Sequence, residues 1–230
     1  MKTIGLIGGM SWESTALYYE WLNNGIKNRL GGLHSARIAL YSVNFEEIEK
    51  LQHQGDWDAL GNILANAARN VEAGGADFLL ICTNTMHKVA LAVESAITIP
   101  LLHIADPTGQ ELQKKSKTRP ALLGTDFTMS QLFYKQRLLD EFGIECMIPE
   151  PEERKIIHRI IYEELCLGTI KSESREEYKK IIQRMMQDGA DSVILGCTEI
   201  TLLIKQEDVD LEVFDTTALH ASAAVDFSLS

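Results

Sequence analysis

The chain has no stretch of basic charge and no long apolar run. Its 22 Lys and Arg stand against 33 Asp and Glu, a formal net charge of −11. That balance argues against nucleic acid and anionic membrane surfaces as partners, since both call for clustered cations. No window approaches the roughly 18 apolar residues of a membrane span. The opening "MKTIGLIGGMSWE" carries one lysine and an apolar run broken by glycines, which is too short and too interrupted for a secretory signal. Cysteine is scarce and scattered. Cys82, Cys146, Cys166 and Cys197 form no C-x-x-C pair and have no histidine at zinc spacing. They read as free thiols, and a cytoplasmic location is the expectation. There is no Pro/Gly-rich linker among the 5 prolines and 16 glycines, so any domain boundary has to sit in a tight connection.

What is present is alternation. Short apolar β-rich runs begin at Thr3, Ala36, Asp77, Ile99, Pro120, Ile144, Asp191 and Leu211. Helical patterns separate them: Leu60, Ile63, Leu64, Ala67 and Val71 share one face, as do Ile156, Ile157, Ile160, Ile161 and Leu165. Continuous apolar strands alternating with helices predict an α/β fold with mostly parallel sheets.

The chain also repeats itself. "GADFLLICTNT" from Gly75 matches "GADSVILGCTEI" from Gly189, and "IGLIGGMS" ending at Ser11 resembles "PALLGTDFT" ending at Thr128. Offsets near half the chain length predict two similar halves facing each other across a cleft, where ligand sites tend to form. The repeat also bears on the adjacent Cys82 and Thr83. Aligned on Gly-Ala-Asp, the counterpart of Cys197 is Thr83, and Cys82 pairs with Gly196. A one-residue slip along a strand reverses a side chain's face. Thr83 is then expected to share the orientation of Cys197 and Cys82 to point into the core; Cys82 acting from one position earlier is the alternative.

Chemistry concentrates at two corners. In "LGCTEIT", Cys197 ends a strand and opens a helix, where backbone N–H groups would lower a thiol pKa; the competing reading is a structural thiol in a turn. Thr198 and Glu199 follow as candidate ligand-binding residues. In "CTNTMH", Thr83, Asn84 and Thr85 supply hydroxyl and amide groups suited to a carboxylate, while His87 alone reads more readily as a satisfied histidine than as a base. The turn "GLIGGMSWEST" offers Ser11 as an N-cap and backbone donors for a small anion, but not the glycine spacing of a dinucleotide or P-loop site. Nothing marks Lys88 as an anchor for pyridoxal phosphate, and no metal constellation is visible.

Taken together, "IGLIGGMSWEST", "ICTNTMH", "LLHIADPT", "LLGTDFT", "LGCTEI" and "FDTTALHA" resemble the aspartate/glutamate racemase family over nearly the whole chain, on the aspartate racemase side. The resemblance implies two Rossmann-like α/β domains related by a pseudo-two-fold axis, with the active site in the cleft. The corresponding division is residues 1–105 with 210–230, and 106–209. It implies a homodimer and racemisation of acidic amino acids without any cofactor or metal, one thiol on each face of the substrate acting as acid or base. Cys197 takes the role of the base toward the L-enantiomer. Met10, Gln52, Asn84, Thr85, Thr198 and Glu199 match substrate-contacting positions. The departure is Thr83, which stands where the family has its first catalytic cysteine. A hydroxyl is a poor base, so Thr83 is expected to serve as a weak proton donor on the opposite face, aided by water, with the L-substrate preferred. Two rivals remain at this level: a related cysteine enzyme acting on hydantoins or arylmalonates, and a weakly catalytic protein that senses acidic amino acids.

Overall fold

A computed structural model describes residues 1–230 of the chain. It divides into two compact units: Met1–Ile104 with His220–Ser230, and Ala105–Leu219.

The first unit contains β1 (Ile4–Gly8), α1 (Trp12–Leu30), β2 (Ile38–Ser42), α2 (Phe45–Gln54), α3 (Trp57–Ala73), β3 (Phe78–Ile81), a 3-10 turn (Thr85–Val89) and α4 (Ala90–Glu94). The second runs through α5 (Ala105–Lys114), β4 (Pro120–Gly124), α6 (Asp126–Ser130), α7 (Leu132–Phe142), α8 (Pro151–Glu163), a 3-10 turn (Leu165–Leu167), α9 (Ser172–Gln187), β5 (Ser192–Gly196), α10 (Ile200–Leu203) and β6 (Glu212–Asp215). The last helix, α11 (Thr216–Leu229), begins in the second unit and continues in the first.

Each unit holds a three-stranded parallel sheet, ordered β2-β1-β3 in the first and β4-β5-β6 in the second. The strands expected from Ile99 and Ile144 shrink to single parallel bridges, Leu79 with Leu101 and Ala121 with Met147. Counting those bridges, both sheets follow one plan. The first strand is central, the second segment joins its outer side, and the third strand joins the other side with the fourth segment beyond it.

The repeat extends to single hydrogen bonds. Ser11 caps α1 by accepting from Ser14 N–H at 3.2 Å, and Thr125 caps α6 by accepting from Thr128 N–H at 3.3 Å. Asp77 accepts from Thr3 N–H at 2.6 Å, and Asp191 accepts from Thr118 and Arg119 N–H at 2.7 and 3.0 Å. Gly75 and Gly189 both sit at positive φ, 86° and 98°, where helix gives way to strand. Ser11 to Thr125 and Gly75 to Gly189 are the same 114-residue step.

The expected return to the first domain at residue 210 needs correction. Residues 210–219 belong to the second unit because β6 pairs in register with β5, Ser192 opposite Glu212 through Leu195 opposite Asp215. A strand cannot leave the sheet whose ladder it completes without stranding its backbone groups.

Side chains alternate across each sheet. In the first unit Phe78, Leu80 and Cys82 pack with Tyr18, Leu22 and Ile26 of α1 and Ala221, Ala224 and Val225 of α11. Leu79 and Ile81 face Leu60, Leu64, Ala67 and Val71 of α3. In the second, Val193 and Leu195 face Ile157, Ile160 and Ile161 of α8 and Tyr178, Ile181 and Ile182 of α9.

Candidate active site

The alternation decides where the adjacent pair Cys82 and Thr83 point. Cys82 continues the Phe78–Leu80 row, is fully buried, and its thiol is pushed far above the ordinary range by that burial. Thr83 has the parity of Leu79 and Ile81 and keeps partial exposure at the strand end. Cys197 has the matching parity after Val193 and Leu195, and it too is partly exposed.

Around Thr83 the backbone turns sharply, its N–H reaching back to Ile81 O at 2.8 Å. His87 fixes that turn. Its Nδ1 lies 2.8 Å from Thr83 O, and its Nε2 accepts from Ile104 N–H at 3.2 Å. The two contacts require a neutral ring with the proton on Nδ1, so His87 holds the corner and has no ring nitrogen left for a substrate. Asn84 and Thr85, 3% and 5% exposed, start the 3-10 turn.

Met10 and Gln52 are buried in the same unit. Gln52 directs Nε2 to Met86 Sδ at 3.0 Å, while its buried Oε1 has no hydrogen-bond partner. Met10 and Met86 belong to one apolar cluster. A buried amide oxygen with no donor is costly in the free protein and gains most from a ligand that brings one. Met86 escaped the sequence reading because an unbranched apolar residue in a catalytic motif carries no chemical signature of its own.

The glycine turn after β1 is closely packed, and one of its backbone donors is already engaged. Gly9 N–H is taken by Thr15 Oγ1 at 2.8 Å. A Cβ on Gly8 would lie 2.3 Å from Thr15 Cγ2, and one on Gly9 would lie 2.2 Å from Val43 O.

In the second unit β5 delivers Cys197, Thr198 and Glu199 to one corner. Cys197 Sγ donates to Glu199 Oε2 at 2.9 Å, and Glu199 is 8% exposed. The expected lowering of this thiol's pKa is overturned. Surrounding protein raises it well above its ordinary value, with the Glu199 carboxylate and then Cys166 adding to the effect. The helix that follows, α10, has only four residues and brings little dipole to oppose them. Thr198 Oγ1 pairs with Thr217 Oγ1 at 3.0 Å, and Thr217 is fully buried at the start of α11. Thr216 Oγ1 donates to Leu195 O at 3.0 Å, tying that helix start to β5. Thr217 lies in "FDTTALHA", a segment the sequence singled out without giving it a role.

Each corner thus lies at the carboxyl end of a strand of its unit's parallel sheet, β3 or β5, and carboxyl strand ends are the usual location of α/β ligand sites. One offers a thiol hydrogen-bonded to a carboxylate, and the other two hydroxyls, two amides and the unmatched Gln52 acceptor. No group of three or more His, Cys, Asp or Glu side chains is arranged to hold a metal ion. No helix is long and apolar enough to cross a membrane.

Residues 7–224 match the family model for Asp/Glu/hydantoin racemases. A Yersinia pestis protein described as a candidate Asp/Glu racemase is 51% identical, superposes with a TM-score of 0.94 and is covered completely, as is this chain. An aspartate racemase homologue from Pyrococcus horikoshii OT3 is 36% identical with a TM-score of 0.84, again over 100% of both chains. The broad specificity amino-acid racemase RacX of Bacillus subtilis (strain 168) is 22% identical over 96% of each sequence.

Proposed function

The chain belongs to the Asp/Glu/hydantoin racemase family, that of an amino-acid racemase, and from that premise we propose that it acts on aspartate or glutamate without a cofactor, with Cys197 removing the α-proton of the L-enantiomer. The observation that carries this reading is the Cys197–Glu199 hydrogen bond. A thiol held protonated is not yet a base. Passing its proton to the carboxylate 2.9 Å away produces the thiolate without changing the charge of the pair. The thiolate then takes the α-proton, and Thr198, oriented by Thr217, and the backbone N–H groups of the corner are the donors for the substrate carboxylate. Asn84 and Thr85 hold the remaining polar groups, Gln52 Oε1 accepts from the substrate ammonium, and Met10 lines the site. Thr83, assisted by water, returns a proton to the opposite face. Its hydroxyl is a far weaker acid and base than a thiol.

The consequence is a lopsided enzyme constrained by thermodynamics. Enantiomers have equal free energy, so kcat/KM for racemisation is the same in both directions. The imbalance between Cys197 and Thr83 therefore shows as α-proton exchange of the L-form that outruns inversion. The protein is proposed to work as a homodimer, as the family resemblance implies, and in the cytoplasm, on the ground of its free, scattered cysteines.

The test is incubation with L- and D-aspartate and L- and D-glutamate in D2O, following α-proton loss by NMR and chirality by chromatography. Wash-out faster from the L-forms than inversion, abolished by Cys197→Ser, is the expected result. No exchange with any of the four would overturn the assignment of acidic substrates.

A further inference from the structure

Lys88 stands in an unusual position for a surface cation. Its Nζ lies 3.6 Å above the centroid of the Trp57 ring, and it makes no ion pair and no hydrogen bond. The ammonium is partly desolvated, which depresses its pKa. In a protein of net charge −11, a half-buried cation held by an aromatic ring with no carboxylate partner departs from the general pattern.

That cation opens onto a hollow of about 460 Å³ lying wholly within the first unit, between the first turns of α3 and the 3-10 turn with α4. The volume is in the range of small-molecule sites. Trp57, Val89, Leu91 and Ala92 supply apolar wall, and Lys88, Asn62 and Asp58 supply polar rim. Leu91 is 77% exposed, and covering it would recover apolar surface now lost to water. Gly61 forms part of the floor, and a Cβ there would come within 3.2 Å of Ala92 Cβ.

We propose that this hollow binds a small monocarboxylate with an apolar body, its carboxylate on Lys88 Nζ and the Asn62 amide and its body over Leu91 and along the Trp57 wall. The single cation and the presence of Asp58 on the same rim select one negative charge and disfavour a phosphate dianion. The aromatic wall and Leu91 select an apolar body over a second polar group, which sets this ligand apart from an acidic amino acid. None of these residues belongs to the two corners described above, and the inference does not depend on the reaction they catalyse.

The probe is 3-phenylpropanoate titrated into the full-length protein, with the Trp57 indole N–H followed by NMR and 3-phenylpropan-1-ol as the uncharged control. Saturable binding is expected, weakened about tenfold or more by Lys88→Met, by Leu91→Ser and by replacing the carboxylate with the alcohol, because each loses a charge-assisted bond or an apolar contact of that size. Gln52→Leu should leave the affinity unchanged, and Lys88→Met should racemise as fast as the unaltered protein. Binding that survives Lys88→Met, that matches the alcohol, or that disappears in Gln52→Leu would overturn the proposal. So would the absence of saturation.

Discussion

Cys197 and Glu199 share one hydrogen across 2.9 Å, with the thiol as donor and the carboxylate as acceptor. The carboxylate both raises the thiol's pKa by its charge and offers the nearest place for the proton to go.

Glu199→Gln separates these two effects. Alkylation of Cys197 by iodoacetamide as a function of pH reads the thiolate directly. Removing the negative charge should move its midpoint to lower pH, while α-proton exchange from the L-substrate at neutral pH falls by about 10²-fold because the proton acceptor is gone. A midpoint that stays in place would mean the carboxylate does not act on the thiol.

Thr83→Cys should raise the rate of full racemisation by about 10- to 100-fold, as a thiol takes over a step that a hydroxyl performs poorly. Circular dichroism of the amino acid follows this continuously, and the ratio of exchange to inversion should approach unity. Cys82→Ala, by contrast, should change stability and leave turnover alone, since Cys82 faces α1 and α11.

Gln52→Leu sets binding against stability. The mutation removes a buried Oε1 that has no partner, so the denaturation midpoint should hold or rise. KM should increase by about tenfold or more, because the substrate ammonium loses its acceptor. A large drop in stability with unchanged KM would show that Gln52 serves only to pack against Met86.

His220 makes the fold acid-sensitive. Buried between Tyr18 OH at 2.8 Å and Leu102 O at 2.8 Å, it has a pKa lowered to about 3, by burial first and by neighbouring His87 second. A base with a depressed folded-state pKa contributes stability that is present above its ordinary value of 6.5 and is lost as pH falls through about 3. Within that window the loss is about 1.4 kcal/mol per pH unit for this one group. His220→Gln should be less stable at pH 7, and urea unfolding at pH 7, 5 and 4 should show the gap to the unaltered protein narrowing with acidity.

The sequence exposed the fold through patterns that local physics enforces. Apolar patterning located all six strands, most clearly β1, β3, β4 and β5, which are buried along their whole length, while β2 and β6 are only partly buried. It over-extended the segments at Ile99 and Ile144, where the apolar character is genuine but only one residue of each finds a bridging partner. The Thr83–Cys197 equivalence was readable because strand parity is a strict period of two. The direction of the Cys197 pKa was not, since it depends first on how deeply the thiol is buried and then on a carboxylate two residues away folding back onto it. The Thr198–Thr217 and Gln52–Met86 contacts join residues 19 and 34 positions apart, and no spacing rule reaches that far. Lys88 was noticed as a nearby lysine, but its place over Trp57 was visible only in three dimensions.

The assignment of α11 to the core of the first unit has a consequence for biosynthesis. Ala221, Ala224 and Val225 fill the face of the first sheet beneath α1, yet they are synthesised only after the whole of the second unit. Residues 105–219 are contiguous and can close as soon as they are made, whereas the first unit waits with one flank open until α11 has followed them. A nascent chain stalled before His220 would carry a finished second unit and an unfinished first. It would expose Tyr18, Leu22 and Phe78 to chaperones and proteases, and the penalty for lacking α11 would fall on the half that was synthesised first.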